Sequence, residues 1–333
     1  MRMKNVFSIL FLFALFADVA SAQTGGLSER VREAGRGSQA VWVSWTVPVI
    51  DGHEYTCCMD RKFKPATCKL EEKNQSWGSS DQNQRQDPNL NVLVRLQNGK
   101  AERIRSVSES CPVEAGSVRI VQLEGVKPEE SVRFLTGLVK EAKAETDEEA
   151  ISSLALHRNS GALDSLAEFA TSSRYRMDVR EQSLFWLGQS LGRAGYEVIA
   201  RVLRDDSNDE LREHATFALS ESPVPEAGEL LVKTARTDRH PEVRSQAMFW
   251  LAQIDHPQAP AIILEAIAKD ADEDVREQGV FALSQLPDGK GVPMLIRLGR
   301  ESKDREVRKQ ALFWLTESDD PAAVKFLEKM LEE

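Results

Sequence analysis

Apolar and polar positions in the second half of the chain recur with a fixed period. An acidic residue, then Val or Leu, then Arg appears at one unvarying interval: Asp178-Val179-Arg180, Glu210-Leu211-Arg212, Glu242-Val243-Arg244, Asp274-Val275-Arg276 and Glu306-Val307-Arg308. Each is followed by a triplet, alternately Phe-Trp-Leu (from Phe185, Phe249 and Phe313) and Phe-Ala-Leu (from Phe217 and Phe281). Counting the Val or Leu as position 0, apolar or small residues fall at +4, +7 and +8, as Ala247, Trp250 and Leu251 do in the third unit. At about 100° per residue these lie within about 80° of position 0, forming one buried helical stripe. A break with Gly, Pro or Asp follows, and then a second helical pattern with pairs such as Ile199/Leu203, Ile263/Ile267 and Leu327/Leu331. A helix pair repeated in register is one unit stacked on copies of itself. Residues 148–333 are therefore expected to form a right-handed α-solenoid. Glu148 to Ser172 lacks the Arg, and its Leu154-Ala155-Leu156 falls one position out of register with the later triplets, as an atypical N-terminal cap would.

The first half alternates differently. Val41–Val47 is β-branched and aromatic and ends at Pro48, as a strand does. Val92–Leu96 and Ile104–Val107 flank Asn98-Gly99, a strong hairpin signal because both residues tolerate positive φ. Val118–Leu123 is a further strand. Asn74–Pro88 is polar and expected as a long mobile loop, with Trp77 a plug that pins it, the alternative being an exposed contact residue. At Lys127-Pro128 a helix begins, with acids in its first turn and a stripe of Val132, Leu135, Leu138 and Val139. The expected fold class is α+β. Residues 1–22 form a leader, 23–126 a small β-rich domain, 127–147 a linking helix and 148–333 the solenoid.

The Val-Arg…Ala…Leu helix pairs resemble short bacterial HEAT repeats, of the kind also found in phycobilin lyases. The resemblance covers the repeat half of the chain and carries architecture rather than activity. Some HEAT-repeat enzymes, the deoxyhypusine hydroxylases, hold iron with repeated His-Glu pairs. These repeats contain no His-Glu dipeptide, and His157, His214, His240 and His256 fall at unrelated positions. His214 takes the place of a Gln at +3 and is expected as a surface substitution.

The resemblance implies an inter-repeat ladder built by Arg180, Arg212, Arg244, Arg276 and Arg308, each meeting a polar or acidic group of the next unit. Position +7 alternates Trp186, Ala218, Trp250, Ala282, Trp314 and lies on the buried stripe, where large is expected to interdigitate with small. Position +6 points about 120° away from position 0. Phe185, Phe217, Phe249, Phe281 and Phe313 are expected there to cover the junctions between units, with an apolar partner-binding strip as the alternative.

Charge and cysteines set the setting. Arg2 and Lys4, the apolar run Val6–Ala17 and Ala20-Ser21-Ala22 describe a secretory leader cleaved after Ala22. The protein is expected to be exported, periplasmic or secreted, with no membrane insertion after cleavage. Residues 141–333 carry a net charge of −13, against +2 for residues 23–140. That excludes nucleic acid as a partner and predicts a protein or peptide with a basic contact face. All four cysteines, Cys57, Cys58, Cys68 and Cys111, lie in the β-rich half and are expected as two disulfides rather than a metal site. Either Cys57–Cys68 with Cys58–Cys111 or Cys57–Cys111 with Cys58–Cys68 fits. Asp270-x-Asp272-x-Asp274 superficially resembles a calcium loop but lacks the Gly and distal Glu. No catalytic motif, metal or cofactor is expected. The reading is of an interaction scaffold, the alternative being an enzyme or regulator whose site surrounds Asp51, His53 and the cysteines. A second alternative is a small-molecule binder using the concave face of the solenoid, as a lyase would.

Overall fold

The computed structural model describes residues 25–332 apart from 53–54, 61, 63, 73–76, 80–86 and 142–145. The leader and His53 lie outside the described residues. The chain forms two compact units that divide at Leu166/Ala167, inside a helix.

Among the described residues, unit 1 has helix α1 (Leu27–Ala34) followed by nine strands: β1 (Val41–Pro48), β2 (Thr56–Met59), β3 (Pro65–Ala66), β4 (Cys68–Lys69), β5 (Trp77–Ser79), β6 (Asn89–Gln97), β7 (Lys100–Ser108), β8 (Val113–Glu114) and β9 (Ile120–Gln122). The main sheet has the order β7-β6-β1-β9, with β9 parallel to β1. The β6–β7 hairpin turns on Asn98 (φ 52°) and Gly99 (φ 72°), the positive-φ pair that matches the twist of the flanking strands. Strand β5 runs through the stretch expected as a mobile loop and pairs with β2. Its neighbours are almost all polar, so its pairing comes from a partner distant in sequence rather than from its own pattern. The side chain of Trp77 lies outside the described residues.

Strand β1 is covered on both faces, which explains its unbroken apolar run. On one face Trp45 meets Phe134 edge-on at 5.6 Å, and its Nε1 donates to Ser131 Oγ at 2.8 Å. Both partners sit on helix α2 (Pro128–Lys140). On the other face Trp42 packs in a cluster with Leu70, Leu93, Val107 and all four cysteines. The cysteines form the disulfides Cys57–Cys111 and Cys58–Cys68, which selects one of the two pairings left open by sequence.

Helices α3 (Asp147–Ala155) and α4 (Ser160–Thr171) make up the atypical helix pair before the full repeats. With Leu154-Ala155-Leu156 aligned on Phe185-Trp186-Leu187, Glu149 stands where the first full unit has Arg180. Its carboxylate accepts from Ile104 N at 2.9 Å and pairs with Arg105 of β7. The charge at this position is inverted because its partner is a strand carrying Arg, not another helix pair.

Unit 2 stacks five helix pairs. The first helices are α5 (Met177–Ser190), α7 (Asp209–Ser220), α9 (Pro241–Gln253), α11 (Glu273–Ser284) and α13 (Arg305–Thr316). The second helices are α6 (Gly192–Asp205), α8 (Glu226–Thr237), α10 (Ala259–Lys269), α12 (Val292–Glu301) and α14 (Pro321–Glu332). Position 0 is buried in every unit, at Val179, Leu211, Val243, Val275 and Val307. Neighbouring first helices pack closely along the series, whereas second helices touch one another far less. At the α5–α7 crossing a Cβ on Gly188 would lie 2.1 Å from the Ala218 carbonyl oxygen, so only glycine fits there. No helix of the described residues is long and apolar enough to cross a membrane.

One buried titratable group in unit 1 sets a pH dependence. His157 is almost wholly enclosed; Ser131 Oγ donates to its Nε2 at 2.7 Å, and its Nδ1 donates to the Ser153 carbonyl at 2.6 Å. Burial lowers its pKa from 6.5 to about 4, because no carboxylate offsets the loss of water. The unfolded chain therefore binds a proton that the folded chain refuses. The contribution is complete above the unfolded value, and it is lost as pH falls from about 6.5 to about 4. Across that window stability is expected to drop by about 3 kcal/mol. Urea melts followed at the Trp42/Trp45 core should show that fall, and a profile flat to pH 4 would refute it.

Candidate interaction surface

The repeated residues of each first helix sort onto two flanks. Arg at +1 points about 100° to one side of position 0. On that flank the guanidiniums of Arg180, Arg212, Arg244 and Arg276 each reach the loop between their own second helix and the next unit. Arg212 forks onto Asp238, with Nε to Oδ2 and Nη2 to Oδ1 both at 3.0 Å. Arg244 does the same to Asp270 at 2.8 and 2.7 Å. Arg180 pairs with Asp206 at 2.5 Å. The remaining Nη1 donors thread the series together: Arg212 to the Asp206 carbonyl at 3.1 Å, Arg244 to that of Asp238 and Arg276 to that of Asp270, both at 3.0 Å. Each of these aspartates thus serves two consecutive arginines, one by its carboxylate and one by its carbonyl.

The ladder changes where the sequence changes. Position 302, in register with Asp206, Asp238 and Asp270, is Ser. Arg276 turns instead to Asp304 at 3.1 Å, the residue that also caps α13 by accepting from Glu306 N and Val307 N. Arg308 donates to the Ser302 carbonyl at 2.6 Å. Burial works against the Asp238 and Asp270 carboxylates, but the bonds from Arg212 and Arg244 outweigh it and hold both below the ordinary range.

The other flank carries Phe at +6. Its rings form a continuous ribbon: Phe185 stacks on Phe217 at 5.8 Å, Phe217 meets Trp250 at 4.9 Å, and Phe249 stacks on Phe281 at 5.8 Å. Phe281 meets Trp314 at 4.9 Å, while Phe185–Trp186, Phe249–Trp250 and Phe313–Trp314 pair edge-on. The expectation for position +7 needs correction. Ala218 and Ala282 are fully buried, but Trp186, Trp250 and Trp314 are only half-buried. An indole outgrows the space between first helices this closely packed; those of Trp250 and Trp314 lie across the Phe of the preceding unit. Phe313, in the fifth unit, is 50% exposed. His214 is not a bare surface substitution either; it sits edge-on to Phe217, and burial lowers its pKa.

Carboxylates flank the ribbon, a feature missed in the sequence. The acid at −1 lies at about −100°, the +2 residue at about −160° and the Phe at about −120°, so all three share one face. Glu181, Glu213 and Glu277 stand at +2, and Glu210, Glu242 and Asp274 at −1. Among the described residues none of these six pairs with a Lys or Arg; Glu242 has only His240 beside it. Burial, with Glu210 and Asp178 close by, pushes the Glu181 carboxyl up. Burial, with Glu242 and Glu210 close by, does the same to Glu213. Two adjoining hollows lie along the face. One, of 380 Å³, is lined by Glu181, Glu210, Glu213, Phe217 and Trp250; the other, of 470 Å³, by Glu213, Glu242, Phe249, Glu277 and Phe281.

Of the residues singled out in unit 1, His53 lies outside the described residues. All four cysteines are in disulfides, and Asp51 is exposed and pairs with Arg158 at 2.9 Å. Comparisons with known proteins agree with the architecture of unit 2. Residues 196–284 and 260–333 match HEAT repeats, so this part of the solenoid is built of HEAT repeats. Among solved structures, the chain is similar to human deoxyhypusine hydroxylase in complex with glycerol, at 16% identity and a TM-score of 0.30, covering 56% of this chain and 84% of that one. It is also similar to the complex of CpcE and CpcF of phycocyanin lyase from Nostoc sp. PCC7120, at 14% identity and a TM-score of 0.28, covering 67% of this chain and 98% of that one. No curated protein matches the chain.

The ladder makes a graded prediction. Arg244 has a two-pronged carboxylate partner and a carbonyl, whereas Arg308 has a carbonyl alone among the bonds described above. Arg244→Ala is expected to cost about 1–3 kcal/mol and Arg308→Ala less than about 1 kcal/mol. Urea melts of the two variants measure this. Equal costs would show that the carboxylates add nothing.

Proposed function

We propose that the protein is an exported interaction scaffold whose HEAT-repeat solenoid binds a protein partner through the ribbon flank, against a basic contact face of that partner. The observation that carries this reading is the contrast between the two flanks. On the ladder flank every aspartate named above has a guanidinium. On the ribbon flank six carboxylates have none and lie beside half-buried rings. Two stacked rings and a cavity-lining acid suit a partner that brings both cations and apolar stems. Stacked repeats build an extended surface, which suits a polypeptide better than a small substrate needing an enclosed pocket. The leader and the cysteine content support passage into an oxidising compartment, periplasmic or extracellular, where the disulfides of unit 1 persist.

Two outcomes are expected. Mass measurement of the protein recovered from its native host should give a chain beginning at Gln23. Partner capture by the full chain should weaken as salt rises, and Glu213→Lys/Glu277→Lys should abolish most of it. Capture unaffected by both salt and charge reversal would refute the solenoid's role.

A further inference from the structure

The ribbon flank has ends as well as a middle. At the first unit Asp178 is neutralised by Arg176 at 2.6 Å, and at the fifth Glu306 is neutralised by Lys309 at 3.1 Å. Lys309 occupies the +2 position that is Glu in the first, second and fourth units. The uncompensated field is therefore bounded, running from Glu181 to Glu277. Its two hollows share Glu213 and Gln246, so they adjoin and centre on successive units. The carboxylates do not converge as a metal site would. Among the described residues only Cys57, Cys68 and Cys111 bring three ligand atoms within 4.8 Å, and these are in disulfides.

What would satisfy such a face is a series of cations, each with a flat or apolar surface for the rings. A guanidinium fits better than an ammonium: its plane stacks on an aromatic face while its edge forks onto carboxylates. Spacing then selects the ligand's backbone. Packed helices lie about 8–10 Å apart, so the hollows repeat at that distance. Same-side residues of a β-strand, two apart, are separated by about 7 Å and fall short. In a polyproline II segment, residues three apart lie on one side and are about 9 Å apart.

We propose that this groove binds an extended segment of a partner protein carrying two arginines three residues apart. One guanidinium seats by Glu210 and Glu213 against Phe217 and Trp250, and the next by Glu242 and Glu277 against Phe249 and Phe281. The inference rests on the scaffold reading above and names the chemistry of its ligand. Glu213 lines both hollows and so matters to both seats. Burial and neighbouring carboxylates already disfavour its charge, and an incoming cation relieves that repulsion.

The test uses the full chain and two labelled synthetic peptides of one composition, Arg-Pro-Pro-Arg and Arg-Arg-Pro-Pro, followed by fluorescence anisotropy at low salt. Net attraction is the same for both, so any difference reads spacing. The first is expected to bind at least roughly tenfold more tightly. Glu213→Gln should weaken it roughly fivefold or more, while Glu328→Gln, the same charge change on exposed α14, leaves it unchanged. The Glu213→Gln melting temperature should stay level or rise, since the ladder is untouched and repulsion is relieved. Equal binding of both peptides, equal effects of the two substitutions, or no binding at all would overturn the proposal. Capture of the native partner by the Glu213→Lys/Glu277→Lys chain then separates the two readings. If capture is lost while the peptides fail, only the spaced-arginine site falls; if capture persists as well, the scaffold reading falls with it.

Discussion

A buried guanidinium must be met by a carboxylate or pay for its lost water, and in this solenoid the meeting place is the loop that closes each helix pair. Arg212 is fully enclosed, and Asp238 is nearly so. Because Asp238 takes Arg212 on its carboxylate and Arg244 on its carbonyl, one residue fixes the distance between two consecutive first helices. Repeating that bond sets the spacing of the stack. The same spacing brings Phe249 onto Phe281 and Phe217 onto Trp250 on the opposite flank.

The ladder therefore divides the charge of the unit. Ladder acids are consumed internally, so their field is short-ranged. Ribbon acids are not: six of the carboxylates behind the net of −13 over residues 141–333 stand there with no arginine to answer them. This costs stability, since like charges crowd Glu181 and Glu213. A protein that retains such a cost on one face and neutralises it on the other has a surface suited to an external cation. The ends of the field, closed by Arg176 and Lys309, fit that account.

Much of this was legible in the chain. The fixed period of the acidic–Val/Leu–Arg motif set the helix pairs, because each stripe buries against a copy of itself. Asn98-Gly99 announced the hairpin by its tolerance of positive φ. Strands β2 to β5 and β8 were not legible, since each is short and takes its pairing from distant residues. Disulfide connectivity likewise depends on which strands meet. The half-exposure of Trp250 was missed because an angle of projection says nothing of whether a ring that large can be covered. The sharing of one face by the acids at −1 and +2 with Phe at +6 was written in the spacing and overlooked. The signal was there: three rows of one periodicity within about 60° of each other.

The central claim is that the two flanks hold their carboxylates in opposite electrostatic states. Site-resolved NMR titration of the side-chain carboxyls measures this without a ligand. Asp238 and Asp270 should titrate below the ordinary aspartate value of 3.8, and Glu181 and Glu213 above the ordinary glutamate value of 4.5. Finding Glu213 at or below its ordinary value, or the ladder aspartates above theirs, would contradict the account.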